Sequence, residues 1–263
     1  MKIRAARWML RSRLAEHPVL YLPIARLKYP DAVVGDATEL VIDGFTRSAV
    51  TFATLAFQMA QPRPVRVAHT LHAAGHLIAG ARRALPTLVT IRDPDETVLS
   101  AVIREPYVSI AQALTAYTRF HARIQPYRSG FVIGTFDEIT GDFGLVIRRI
   151  NERSGTRFEE FEHTDPNVAE CYAIIDDRAR RPPWSTTLGQ FECGIVGIDD
   201  YRRTVASFRA RGDVPTLAVP ERRVQRPSHE RADLKRGLRA ALEDPRLDAL
   251  RSRARRAYDA LVG

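Results

Sequence analysis

The chain has 263 residues, 45% of them hydrophobic and 27% charged, which suits a folded domain with a sizeable core. Its formal net charge of +9 is carried almost entirely by arginine. No apolar run is long enough to cross a bilayer, and Cys171 and Cys193 are too few for a disulfide framework or a cysteine metal cluster. A cytoplasmic location is the simplest expectation.

In chain order, residues 1–37 predict a helical extension that turns at Tyr29-Pro30-Asp31. Pro18 and Pro23 interrupt its apolar positions, so it lacks the continuous core of a signal peptide. Its scattered basic residues leave peripheral membrane contact open. Residues 38–160 alternate between two periods. Strands are predicted at 39–43, 64–68, 87–91 and 130–136, and helices near 48–60, 71–84, 94–104, 108–124 and 142–154. Such alternation predicts a mainly parallel sheet covered by helices on both faces, a three-layer α/β/α arrangement. Residues 161–226 carry a Pro- and Arg-rich stretch followed by glycines, and read as an acceptor-side lid or a surface excursion. Residues 227–263 predict two helices split at Asp244-Pro245. The whole is expected to be one domain.

Ligands of parallel sheets bind beyond the carboxyl ends of the strands. After the first strand comes Gly44-Phe45-Thr46-Arg47-Ser48-Ala49-Val50-Thr51-Phe52, a loop entering a helix. A helix N-terminus presents unpaired N–H groups and a positive dipole end, to which Arg47 adds charge and Ser48 and Thr51 add hydroxyls. The loop lacks the Gly-Lys-Ser/Thr ending of the nucleotide-triphosphate loop, and with it the usual magnesium ligand. After the third strand comes Arg92-Asp93-Pro94-Asp95-Glu96-Thr97-Val98-Leu99-Ser100, with Asp93 as helix cap and Pro94 at the first helical position. Arg92 and Ser100 can close on a second anionic group.

These two stretches resemble the phosphate motifs of sulfotransferases that use 3′-phosphoadenosine 5′-phosphosulfate (PAPS), including bacterial sulfotransferase-domain proteins. The family's first motif reads Pro-Lys/Arg-Ser-Gly-Thr/Asn-Thr/Ser-Phe/Trp/Leu. Here Thr46, Ala49 and Val50 depart from it, and Ala and Val are expected at helix-forming positions that tolerate them. The second motif matches closely. The resemblance covers roughly residues 38–160. It implies a P-loop-like sulfotransferase fold with helical extensions at both ends. It also implies that Arg47, Ser48, Ala49, Val50, Thr51 and Phe52 hold the 5′-phosphosulfate, and Arg92 and Ser100 the 3′-phosphate. His69 falls where the family places its general base, with His72 the runner-up. Phe136 falls where a family aromatic stacks on adenine, and plain core packing stands equally open for it.

The implied reaction is sulfonate transfer from PAPS to an acceptor hydroxyl or amine, with His69 and Arg47 in the catalytic roles and no metal. The acceptor is expected to be a small molecule, a glycan or a lipid-linked sugar. Nucleic acid is not expected, since no recognition helix, zinc spacing or RNA-binding aromatic signature accompanies the charge. Two other functions stay open: a kinase-like phosphotransferase, and a non-catalytic nucleotide-binding protein of the same fold. Glu105, Tyr107 and Trp184 are further candidates to face the acceptor. His72 and His76, four apart on a predicted helix, lack a third ligand for a metal.

Overall fold

A computed structural model describes residues 2–180, 182–213 and 228–263. Two helices, α1 (Lys2–Leu14) and α2 (Pro18–Lys28), precede an alternating core. The core runs β1 (Leu40–Gly44), α3 (Val50–Ala60), β2 (Val67–His69), α4 (Ala74–Arg82), β3 (Thr87–Ile91), α5 (Pro94–Arg104), α6 (Ile110–Ile124) and β4 (Val132–Thr135). Then come α7 (Phe136–Gly141), α8 (Phe143–Ser154), α9 (Asp165–Arg180), α10 (Ser185–Glu192) and α11 (Ile198–Ala210). The chain closes with α12 (Ser228–Leu242) and α13 (Asp248–Val262).

The four strands form one parallel sheet in the order β2-β1-β3-β4. Their residues alternate between two apolar clusters, as a sheet buried on both faces requires. Val41, Ala68, Val89 and Ile133 face α4, α6 and α13. Leu40, Ile42, Val67 and Leu88 face α3, α8 and α9. This is the expected three-layer α/β/α fold with helical extensions.

Local chemistry sets the element ends. Asp93 caps α5 by accepting from the N–H groups of Asp95 and Glu96. Ser109 with Gln112 and Thr135 with Glu138 form reciprocal capping boxes on α6 and α7. The second box ends β4 one residue early: Phe136 begins a helix rather than finishing the strand. Gly155, at φ 66°, stops α8.

The acidic start of α5 also anchors the carboxyl-terminal helices. Lys235 and Arg239 of α12 pair with Glu96, while Arg251 and Arg255 of α13 pair with Asp95 and Asp93. The proposed lid segment is largely helical: α9, α10 and α11 pack on the α3 side of the sheet. Residues 214–227 of that segment lie outside the described residues. Trp184 is 1% exposed inside this layer and faces no acceptor space.

Candidate functional site

The strand order reverses between β1 and β3. From β1 the chain crosses to β2 on one side, and from β3 it crosses to β4 on the other. A crevice opens at the carboxyl ends of the strands at such a reversal. Both predicted anion-binding loops leave the sheet there.

The first loop is held against β3. A Cβ on Gly44 would fall 2.2 Å from the Thr90 carbonyl oxygen, so only glycine fits this approach. Ser48 is 1% exposed, donates its hydroxyl to the Phe45 carbonyl at 2.6 Å and meets the Thr90 hydroxyl at 2.7 Å. It latches the loop and does not face a ligand, contrary to the role expected for it. Arg47 and Ala49 have φ of 70° and 71° on either side of Ser48. Such alternation curls consecutive N–H groups into an anion-binding concavity. The helix starts at Val50 rather than 48, so Ala49 occupies a left-handed cap, not a helical position. The first intrahelical bond runs from the Ala53 N–H to the Ala49 carbonyl. The N–H groups of Val50, Thr51 and Phe52 therefore have no helical acceptor.

A cavity of about 460 Å³ joins the two motifs. Arg47, Ala49, Val50, Thr51 and Phe52 line it from the first loop. Arg92, Ser100 and Phe136 line it from the other side. Arg47 Nε donates to Ser100 Oγ at 2.9 Å, a direct bond between the two motifs. The Arg92 guanidinium sits 3.8 Å over the Phe136 ring and 3.6 Å from Glu96. One face of Phe136 is thus covered by a cation rather than offered whole for stacking.

The histidines separate. His69 is 4% exposed at the end of the edge strand β2. Its Nδ1 meets the Thr70 hydroxyl at 2.7 Å and its Nε2 meets Cys193 Sγ at 3.5 Å. Burial, reinforced by the nearby Arg178 charge, pushes its pKa down to about 3. It does not line the cavity that holds Arg47. His72 does, at the loop after β2. Its Nδ1 lies 3.0 Å from the Gly44 carbonyl. A carbonyl only accepts, so Nδ1 carries the proton and Nε2 keeps its lone pair. Among the described residues no hydrogen bond engages that Nε2. Burial lowers the His72 pKa, opposed by the Asp43 carboxylate and the Gly44 carbonyl.

Asp43 organises this corner from full burial. It accepts from the Gly44 N–H at 2.9 Å, the His72 N–H at 3.0 Å and His76 Nδ1 at 2.8 Å. Against the cost of burial, these bonds hold its carboxyl below the usual range. His76 is also spent: its Nε2 accepts from the Val34 N–H at 3.1 Å. Among the described residues no group of His, Cys, Asp or Glu is arranged to hold a metal ion.

Arg178 of α9 is a site residue that no sequence pattern marks. It donates to Thr51 Oγ1 at 3.1 Å and pairs with the buried Glu192 at 2.8 Å. Its position follows from the packing of α9 on α3, 127 residues apart at this contact. Glu105 and Tyr107 line a further cavity that His72 also lines and Arg92 does not. Compared with models of protein families, with the curated proteins and with the solved structures, the chain matches none of the three.

Proposed function

We propose that this protein transfers a sulfonate group from PAPS to an acceptor hydroxyl or amine. The observation that carries this reading is the convergence of Arg47 and Arg92 on one cavity at the strand-order reversal, closed by the Arg47–Ser100 bond. Cations from two different loops suit a nucleotide with phosphate groups at both its 5′ and 3′ positions.

The donor supplies the sulfonate and a phosphate leaving group. Arg47 and the N–H groups at the start of α3 hold the 5′ side and stabilise charge that gathers on the leaving oxygen. Thr51 orients the same group. Arg92 and Ser100 select the 3′-phosphate. Phe136 offers the ring face not covered by Arg92 to the base. His72, rather than His69, accepts the acceptor's proton at Nε2, because its ring faces the cavity and Gly44 fixes its tautomer. As the acceptor's O–S or N–S bond forms, the sulfur–oxygen bond to the phosphate breaks.

Adenosine 3′,5′-bisphosphate should raise the melting temperature well above the effect of ATP or AMP at equal concentration. A ligand present at a hundred times its Kd adds about 2.7 kcal/mol to the folded state. Equal stabilisation by ATP and the bisphosphate would sink the donor assignment.

The same reading includes contact of the amino-terminal helices with an anionic membrane surface. On α2, Tyr21, Leu22 and Ala25 are buried, yet Val19, Leu20, Ile24 and Leu27 are 80%, 55%, 57% and 90% exposed. A helix apolar on both faces expects cover on both. The first 28 residues hold seven basic side chains against Glu16 alone, the charge that anionic lipid attracts.

A further inference from the structure

The loop that carries Arg47 also walls a second cavity, of about 690 Å³. Thr46, Arg47, Thr51 and His72 line both spaces, so the proposed base stands between them. The second cavity is strongly cationic. Arg4, Arg7 and Arg11 enter it from α1, Arg104 from the end of α5, Arg178 from α9, and Arg47 from the loop. Among the described residues Glu105 is the one carboxylate that lines it.

Some arginines of this chain pair with carboxylates, among them Arg63 with Glu39, Arg148 with Glu160, Arg202 with Glu170 and Arg255 with Asp93, and in the cavity itself Arg178 pairs with Glu192. Among the described residues no ion pair engages Arg4, Arg7 or Arg104. Arg11, among the described residues, bonds only neutral groups, the Tyr21 hydroxyl at 3.1 Å and the Leu71 carbonyl at 2.9 Å. Arg4, Arg7 and Arg11 are exposed to solvent, and charges of one sign brought from four elements to the rim of one concavity focus a field that attracts anions. Guanidinium groups match carboxylate, sulfate and phosphate oxygens in paired hydrogen bonds. Trp8, Tyr107 and Phe120 stand among the arginines and give the carbon skeleton of a ligand apolar surface.

We propose that this cavity binds a polyanionic acceptor: a molecule with two or more carboxylate, sulfate or phosphate groups flanking the hydroxyl or amine presented to His72. Binding of the polyanion stands on the arginine cluster alone. Its role as acceptor rests on the sulfotransferase reading.

The test separates the two. Calorimetry on the full chain uses sucrose octasulfate as probe and sucrose as its neutral control. The octasulfate binds and sucrose does not. Arg7→Ala/Arg104→Ala weakens the octasulfate by roughly 10- to 100-fold, the effect of losing a charged hydrogen bond. Arg203→Ala on α11, which pairs with Asp200 and lines neither cavity, leaves it unchanged. In labelled transfer from PAPS, a disulfated disaccharide outruns its unsulfated parent in kcat/KM, and the double arginine variant erases that preference while keeping bisphosphate affinity. Octasulfate binding that ignores Arg7→Ala/Arg104→Ala, or equal transfer to the neutral disaccharide, overturns the proposal and leaves the donor assignment standing. Failure of the bisphosphate to bind, with arginine-dependent octasulfate binding intact, removes the sulfotransferase reading and leaves the polyanion site.

Discussion

His72 keeps its proton on Nδ1 because the Gly44 carbonyl beside it can only accept, and this leaves a basic nitrogen toward the cavity. His69 has both nitrogens engaged and is too weak a base at a pKa of about 3 to take a proton from a hydroxyl near neutrality. His72→Ala should therefore lower turnover by roughly 10²- to 10⁴-fold and spare bisphosphate affinity. His69→Ala should leave turnover within a few fold and cost stability instead. Paired measurement of turnover and melting temperature in both variants decides it, and the reverse pattern would return the base to His69. The His72 pKa lies below its ordinary value, so the acid limb of the rate profile should fall below pH 6.5. Ala49 poses a separate question at this scale. Its φ of 71° places a Cβ where a left-handed backbone costs about 1 kcal/mol or more. Ala49→Gly should stabilise the chain by about 1 kcal/mol in urea unfolding. An unchanged or lower midpoint would mean the loop relaxes around the methyl.

Among the elements, β3 was legible because Thr87–Ile91 is a β-branched run buried along its whole length, and helix α5 was legible to the residue because Asp93 and Pro94 mark its start. The shorter extent of β2, Val67–His69 against a prediction of 64–68, reflects its place at the edge of the described sheet, where among the described residues it pairs with β1 alone. The loop after it was not legible. Thr70 and His72 both adopt positive φ, at 55° and 50°, and neither is a glycine that would announce the turn. Period and motif spacing therefore favoured His69, and only the folded loop carries His72 to the cavity. Helix α2 looked like an interrupted extension from its two prolines. In the fold, Pro18 begins the helix and Pro23 lies within it on the exposed side. If that side meets lipid, the chain should sediment with vesicles containing phosphatidylserine and much less with phosphatidylcholine alone. Leu20→Ser/Ile24→Ser/Leu27→Ser should abolish the difference, and concentration-dependent dimerisation lost in the same variant would assign the face to a second copy.

At the scale of the whole molecule, burial of imidazoles ties stability to pH. Burial holds His69 at a pKa of about 3 and His121 at about 4, and among the described residues the buried Nε2 of His121 has no hydrogen-bond partner. Unfolded, both titrate near 6.5, so below that pH the unfolded chain binds more protons than the folded one. Their contribution is complete above pH 6.5 and is lost as pH falls toward 4 and then 3. Each histidine should remove about 1.4 kcal/mol per pH unit across that window. Urea unfolding at pH 7.5, 6 and 5 measures the slope. A flat response would show that neither ring is held neutral, and His121→Gln should make it shallower.

The layer that covers one face of the sheet is assembled from distant parts of the chain. Ala254 and Leu261 of α13 are fully buried in the cluster that contains α4 and α6, and Arg128 grips the Leu261 carbonyl at 2.9 Å. The partners Arg128 and Leu261 are 133 residues apart. During synthesis, the apolar faces of α4 and α6 leave the ribosome long before α13 exists to cover them. Contacts so far apart in sequence form slowly, and the uncovered faces are sticky in the interval. A nascent chain halted before residue 248 therefore exposes apolar surface that the finished protein buries, which makes it a natural client for chaperones and a poor candidate for truncated expression.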